Sequence, residues 1–150
     1  MAANTACQAL VELDRPSLLE HVDDSHAVVD MLEEARAVEL DERLASGVRG
    51  HHSATSLLDA ATRAGHTCLG WPEAGTIAAG GIADFVTLPL DSVRLAGTSA
   101  ASAVEAAVFA ASAADVDSVV CGGRSIVRDG VHRELDVAAE LRETIGELLG

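Results

Sequence analysis

Apolar residues recur every three or four positions after Ser25, which is the spacing of one face of an α-helix. This face has Val28, Val29, Leu32, Ala35, Val38 and Leu44. The other side is mostly acidic, with Asp30, Glu33, Glu34, Arg36, Glu39 and Glu42. Ser25 is a suitable N-cap and Gly47 a suitable end. The pattern predicts a long amphipathic helix over about residues 26–46, with its charged residues mostly away from the core.

Three further segments have helical patterns. One begins at the cap Ser53, carries Leu57, Leu58 and Ala61, and is predicted to stop at Gly65. The stretch Ser99–Ala114 is apolar nearly all round, which is typical of a buried helix. The last helix is predicted from about Leu135 to Leu148, with one apolar face made of Val137, Ala138, Leu141, Ile145 and Leu148.

Two β elements with glycine turns complete the pattern. The first is predicted to turn at Gly80-Gly81, to place Ile82-Ala83 inward and Asp84 in a buried position, and to run through Leu88. The second is a hairpin with a reversal at Gly122-Gly123, a return strand at Ser125–Val127 and a turn at Asp129-Gly130. We expect strands at about 82–88, 117–121 and 125–128 to share a sheet. The order of elements predicts a helix-rich α+β fold.

Composition and charge exclude several classes of function. The 150 residues have a net charge of −14, and all ten cationic residues are arginines, so the basic footprint of a nucleic-acid-binding protein is missing. No stretch has the roughly 18 apolar residues of a membrane helix, and no signal-peptide pattern opens the chain. Cys7, Cys68 and Cys121 form no C-x-x-C pair, which favours free thiols. We therefore expect a soluble, cytoplasmic protein with no membrane or nucleic-acid partner.

The candidate chemistry lies in the run Val22-Asp23-Asp24-Ser25-His26, directly before the long predicted helix. A carboxylate at a strand-to-helix junction is where (β/α)₈-barrel enzymes keep their catalytic groups. The alternative is an ordinary acidic residue favoured by the helix dipole. For His26, His51, His52 and His66 a solvated or capping role is the simpler reading, and for Asp84 a structural one.

The motifs around Asp24 resemble a known family, the formimidoylglutamate deiminases of the amidohydrolase superfamily. The run Asp24-Ser25-His26, followed by a long acidic helix, is similar to the last barrel βα unit of those enzymes. The similarity covers about residues 23–140 and continues through Gly50–Ser53, Ala61–His66, Leu69–Pro72 and Ala110–Val116. The strand motifs at Gly75–Leu88 and Val119–Gly130 resemble the segment that closes the superfamily's small β-sandwich.

The resemblance implies a role for one residue in particular. Asp24 stands where the family's barrel aspartate ligates the metal and acts as general base, and Ser25 and His26 match the next two positions. The family's metal is zinc or another divalent ion. Its small-molecule substrate is N-formimino-L-glutamate, whose formimino C–N bond is hydrolysed to N-formylglutamate and ammonia in histidine degradation. No separate cofactor-binding residues are implied.

The same resemblance divides the chain into three parts. Residues 1–22 are an unassigned leader without family likeness. Residues 23–74 are expected to be a remnant of the last βα unit of a TIM-like barrel with the helices that follow. Residues 75–150 are expected to hold the strands that close the β-sandwich, with the Ala-rich and C-terminal helices. Because a whole TIM barrel takes about 250 residues, we expect a C-terminal fragment of a metal-dependent amidohydrolase.

A fragment of this kind is expected to be inactive alone. One carboxylate cannot hold a four-coordinate zinc ion, and no His-x-His pair occurs in the 150 residues. We expect no tight metal binding by this chain, and self-association or binding to a missing barrel portion. Two alternatives remain open: another amidohydrolase, such as a nucleobase or aryl-amine deaminase, and a non-catalytic remnant or interaction module.

Overall fold

The computed structural model of the chain describes residues 30–150. Its helices are α1 (Met31–Ser46), α2 (Ala54–Asp59), α3 (Gly65–Cys68), α4 (Ala103–Phe109) and α5 (Val137–Leu149). A π-helical turn, Ala60–Ala64, joins α2 to α3, and 3₁₀ turns occupy Ala100–Ser102 and Ala113–Asp115. The strands are β1 (Phe85–Thr87), β2 (Ser118–Cys121), β3 (Arg124–Arg128) and β4 (Val131–His132). The α+β class is as predicted.

The core lies where α1, α2 and α4 meet. Its buried residues are Ala35 of α1, Ala54 and Leu57 of α2, and Val108 of α4. The half-buried residues Val38, Leu58 and Ala61 pack against this cluster. Alanine at the contacts lets the helix backbones approach closely, but it also limits the apolar area that each contact removes from water. The core is therefore thin, and each larger side chain in it matters.

Helix α1 ends where the sequence predicts and begins later than predicted. At its end, Gly47 adopts φ 71°, and its N–H donates to the carbonyl of Arg43. At its start, Asp30 is extended (φ −125°) and its side chain caps the helix. The proposed cap Ser25 lies outside the described residues. The expectation that Asp30 belongs to the polar face of the helix is wrong, because Asp30 is the N-cap and only 5% exposed.

The second predicted helix does not stop at Gly65. The π-helical turn continues the helix, and the Gly65 N–H reaches back to the carbonyl of Ala60. A side chain at Gly65 would place its Cβ 3.1 Å from that carbonyl oxygen, so glycine relieves crowding inside the helix here. Gly75 has a different role, because at φ 80° a Cβ there would lie 2.7 Å from the Cα of Arg63. Gly75 is the residue that lets the chain pass close to the helix.

The single buried helix expected over Ser99–Ala114 is wrong. The segment forms a 3₁₀ turn, the seven-residue α4 and a second 3₁₀ turn. Both 3₁₀ turns have a capping box, at Ser99/Ser102 and at Ser112/Asp115. These side chains hydrogen-bond the nearby backbone and so compete with a continuous helix. Within α4 only Val108 is fully buried.

The sheet confirms the prediction of shared strands. Its order is β1-β2-β3-β4, all antiparallel, with Val86 opposite Val119. The two reversals fall at Gly122-Gly123 (φ 56° and 77°) and at Asp129-Gly130 (φ 52° and 71°), as the left-handed turns of tight hairpins require. Strand β1 is shorter than predicted. Ile82 and Ala83 precede it and are exposed, so their inward placement is wrong.

Helix α5 is confirmed, but its apolar face is open. Asp136 caps the helix through the Ala139 N–H, and no residue of α5 is buried. Val137, Leu141, Ile145 and Leu148 are between 47% and 80% exposed. The helices of residues 30–150 include none that is long and apolar enough to cross a membrane.

Truncation of the core should be costly. Leu57 is 3% exposed and contacts the α1–α2–α4 cluster. We expect Leu57→Ala to lower the free energy of unfolding by about 2–4 kcal/mol, because the change removes buried area and leaves a cavity. Leu44→Ala is the matched control, since Leu44 is 86% exposed. It should cost no more than about 0.5 kcal/mol. Equal losses in chemical denaturation would contradict this assignment of the core.

Candidate functional site

Asp24, the predicted catalytic and metal-ligating residue, lies outside the described residues, as do Ser25, His26 and the leader 1–22. The described chain begins six residues downstream of Asp24, at Asp30. The part of this region whose geometry is known is therefore the chain that follows Asp24, from Asp30 onward. Three buried acids, Asp30, Glu39 and Asp115, are its main polar features.

The carboxylate of Asp30 joins two distant parts of the chain. Its Oδ1 accepts from the N–H groups of Leu32 (3.0 Å) and Glu33 (3.3 Å), which are unpaired donors in the first turn of α1. Its Oδ2 accepts from the N–H of Ala113 at 2.7 Å, across 83 residues of sequence. Arg36, on the same helix, donates from Nη2 to the carbonyl of Ala111 at 2.7 Å. Helix α1 is thus bonded twice to the segment 111–113.

Asp115 holds the other side of that segment. Its Oδ2 accepts from Nε of Arg94 at 2.6 Å and from the backbone N–H of Ser112 at 2.9 Å. The Asp115 side chain is 1% exposed, whereas Arg94 is half exposed. The hydrogen bond from Arg94 is the largest influence on the carboxyl, and with the Ser112 bonds it holds the pKa of Asp115 far below its ordinary value. Asp115 is therefore a charged, structural group.

Glu39 fixes the loop between α1 and α2. Its two carboxylate oxygens accept from the backbone N–H groups of Gly50 and His52, each at 2.7 Å. The predicted position of Glu39 on the solvent side of the helix is wrong, since the residue is 5% exposed. The bond from His52 and then that from Gly50 lower the pKa of Glu39, outweighing the effect of burial. Backbone N–H groups of a loop lack the partners of a helix or strand, and Glu39 supplies acceptors for these two.

The rings of His51 and His66 have local partners. Nε2 of His51 lies 2.7 Å from the Ser46 hydroxyl, and Nδ1 of His66 lies 2.8 Å from the carbonyl of Thr62.

Asp84 is half-buried, not fully buried as predicted, and accepts from the N–H of Gly122. This hydrogen bond joins the residue before β1 to the turn between β2 and β3. Asp84 therefore has the structural role expected for it.

Residues 30–150 do not assemble a metal site. Within them, no three His, Cys, Asp or Glu side chains converge in a way that could hold a metal ion. The three buried acids each accept hydrogen bonds from backbone N–H groups, which hold their oxygens toward the backbone. The side chains of residues 30–150 therefore do not fit a catalytic zinc ion. The buried acids among them stabilise the fold instead.

Comparison with known sequences gives the class of protein. A family model described as the amidohydrolase family matches residues 21–126, more than half of the chain. The chain therefore belongs to the amidohydrolase family. Formimidoylglutamate deiminase of Pseudomonas aeruginosa is 32% identical over 134 residues, which cover 84% of this chain and 29% of that protein. The chain thus spans less than a third of the length of this relative.

Solved structures agree with the family. An adenosine deaminase from Xanthomonas campestris with bound zinc superposes with a TM-score of 0.68 at 23% identity, over 75% of this chain and 26% of that one. Atrazine chlorohydrolase from Arthrobacter aurescens TC1, complexed with zinc, gives 0.67 at 26% identity, over 77% and 25%. An amidohydrolase from Brucella melitensis gives 0.62 at 28% identity, over 79% and 27%. The described residues share the fold of a part of these enzymes.

The buried acids Asp30, Glu39 and Asp115 are the structural features of this region that sequence patterns missed. Asp30 is followed three residues later by Glu33, which is the sequence signature of a helix start. That signal marks Asp30 as a cap better than it marks Ser25. Ser112 and Asp115 have the same spacing before a turn. Glu39 carried no such signal, because a buried carboxylate and a solvent-exposed one look alike in a helical pattern.

The bonds of Glu39 predict how stability depends on pH. Because its pKa is lower in the folded chain than its ordinary value of 4.5, Glu39 stabilises the fold at pH values above that value. The contribution is lost as the pH falls through the lower folded-state pKa. We expect Glu39→Gln to lower the thermal midpoint of unfolding at neutral pH. The difference in midpoint between this variant and the natural chain should shrink as the pH falls below about 4.5 and through the lower folded-state pKa of Glu39.

The exposed Glu143 of α5 provides the matched control, because Glu143→Gln removes one carboxylate without touching the loop at 50–52. It should leave the midpoint nearly unchanged at neutral pH. A Glu39→Gln chain as stable as the Glu143→Gln chain would contradict the role assigned to Glu39.

Proposed function

We propose that this chain is part of a metal-dependent amidohydrolase that acts as a formimidoylglutamate deiminase, hydrolysing the formimino C–N bond of N-formimino-L-glutamate. The observation that carries the proposal is the 32% identity to formimidoylglutamate deiminase over 84% of the chain. The family match begins at residue 21 and so includes Asp24. We assign the chain to the C-terminal part of such an enzyme, with residues 23–74 from its barrel and 75–150 from its small β-sandwich, and place its action in the cytoplasm.

In this proposal Asp24 is the catalytic residue of the chain. Hydrolysis adds water to the formimino carbon and expels the nitrogen as ammonia, and a carboxylate near the attacking water can take up its proton. Two of the structural relatives were solved with zinc, which supports zinc or another divalent ion in the longer enzyme. The described residues would supply none of its ligands and would instead hold the helix that follows Asp24.

The 150 residues alone are therefore expected to lack both metal and turnover. Purified and dialysed, the chain should contain far less than one equivalent of zinc or iron by elemental analysis. It should release no more ammonia from N-formimino-L-glutamate than a heat-treated sample, because one candidate ligand cannot hold the metal. Near-stoichiometric metal that disappears in Asp24→Ala would contradict this expectation.

A complementation experiment tests the function itself. The remainder of the Pseudomonas aeruginosa deiminase, expressed separately, would be mixed with this chain and assayed for ammonia. Release from N-formimino-L-glutamate that depends on Asp24 would support the proposal. Ammonia release from adenosine or an aryl amine instead would favour another deaminase. No ammonia release from any of these substrates would favour a non-catalytic interaction module.

The open apolar face of α5 predicts association of the isolated chain. Val137, Leu141, Ile145 and Leu148 on this face are between 47% and 80% exposed, and no residue of α5 is buried. Apolar surface of this kind marks an interaction surface. We expect light scattering to give a mass above that of a monomer, or strong binding of a dye sensitive to apolar surface. Leu141→Ser with Leu148→Ser should reduce either signal, and the charge-altering Glu143→Gln should not.

A further inference from the structure

The turn between β3 and β4 contains the one residue other than glycine that has a positive φ among residues 30–150. Asp129 has φ 52°, and Gly130, which follows it, has φ 71°. These are the left-handed angles of a tight hairpin turn, for which aspartate followed by glycine is a favoured pair. Both residues are exposed. Within residues 30–150 the carboxylate of Asp129 has no hydrogen bond or ion pair, so it is available for chemistry.

The pair differs in this respect from the other aspartates of the sheet region. Asp84 accepts from the N–H of Gly122, and Asp117 accepts from the hydroxyl of Ser118 at 2.7 Å. Neither of these aspartates is followed by glycine. Glycine has no Cβ, so its backbone nitrogen is the least hindered one that the preceding side chain can reach. Asp129 combines an unoccupied carboxylate with such a neighbour.

The nitrogen of Gly130 is held by a bond from another strand. Its N–H donates to the carbonyl of Asp117, directly before β2, at 2.9 Å. While this bond persists, the nitrogen keeps its hydrogen and cannot react. The strand after the turn, β4, has only two residues and lies at the edge of the sheet. Short edge elements open at low cost, so the turn can release the nitrogen without unfolding the chain.

We propose that Asp129 is a latent site of isoaspartate formation, which the hydrogen bond from Gly130 to Asp117 holds back while the turn is closed. When the turn opens, the Gly130 nitrogen bonds to the carboxyl carbon of Asp129. The displaced carboxyl oxygen leaves as water with the hydrogen of that N–H, and a succinimide ring forms. The site does not depend on the proposed enzymatic function.

Water then opens the ring. It adds to one of the two ring carbonyl carbons, and the bond between that carbon and the nitrogen breaks. Attack at the side-chain carbon restores aspartate. Attack at the main-chain carbon gives isoaspartate, in which the chain runs through the side chain of Asp129. The conversion leaves the atomic composition of the chain unchanged and needs only water.

The product does not fit the turn. Isoaspartate inserts a backbone carbon between Arg128 and Val131, which face each other across the hairpin. The longer connection cannot keep this pairing or the bond from the N–H of Arg133 to the carbonyl of Ile126. We therefore expect the modification to detach β4 from β3.

The first test compares the folded chain with two open forms, namely the chain unfolded in urea and a synthetic peptide of residues 126–133. All three are kept in warm neutral buffer, and isoaspartate is located by peptide mapping with electron-based fragmentation. In urea, isoaspartate should accumulate at Asp129 ahead of Asp91, an exposed aspartate followed by serine. In the folded chain, conversion of Asp129 should be at least about tenfold slower than in the peptide.

Amide exchange at Gly130 separates the effect of the hydrogen bond from that of folding in general. Because exchange and ring closure both need the same N–H to be released, exchange at Gly130 should also be at least about tenfold slower in the folded chain than in the peptide. Fast exchange at Gly130 together with slow conversion would overturn the role given to the bond. Equal conversion in the folded chain and the peptide would overturn the proposal, as would conversion of Asp91 ahead of Asp129 in urea.

Asp129→Gly is the matched control for the effect on β4. Glycine adopts the same backbone angles readily but has no carboxyl group, so this chain cannot convert. Both chains would be kept in urea, refolded and compared by amide exchange at residues 131–133. Exchange there should be about tenfold or more faster in the converted natural chain than in Asp129→Gly. Equal exchange would contradict the detachment of β4.

Discussion

The carboxylate of Asp30 is the interaction on which the described structure most depends. It caps the first turn of α1 and bonds that helix to the backbone at Ala113. Such a bond matters because the apolar core is thin. The fully buried apolar residues among 30–150 are mostly alanines, with Leu57, Leu95 and Val108 as the larger members. Alanine contacts bury little area, so polar bonds across the fold have more weight in fixing its geometry.

Asp30, Glu39 and Asp115 share one physical principle. Each is a buried acid whose oxygens accept from the backbone N–H groups of a loop or helix start. A buried N–H without an acceptor costs free energy, and a carboxylate can satisfy two or three of them at once. Some of the acidic residues that give the chain its net charge of −14 therefore lie inside the fold, where they accept hydrogen bonds from the backbone. The connections between the helices are fixed by these carboxylates, and the loops they hold need little apolar surface of their own.

Features with local causes could be predicted from the sequence, and features with distant causes could not. The hairpin turn at Gly122-Gly123 and the end of α1 at Gly47 follow from backbone angles that glycine adopts readily, so both are confirmed. The prediction that the helix stops at Gly65 is wrong because the π-helical turn continues the helix and crowds this position, which favours glycine inside it. The burial of Glu39 depends on a loop eleven residues away, which no periodic pattern contains.

The same division applies to the candidate site. Its class follows from motifs, because Asp24-Ser25-His26 and the segments after it resemble one family, and the family match includes them. The contacts of Asp30 and Arg36 do not follow from motifs, since their partners lie 83 and 75 residues away in the chain. Residues 30–150 use their buried acids for separate backbone bonds and assemble no group of metal donors. These residues thus stabilise the fold, whereas the ligands of a catalytic metal in the proposed enzyme would have to come from beyond them.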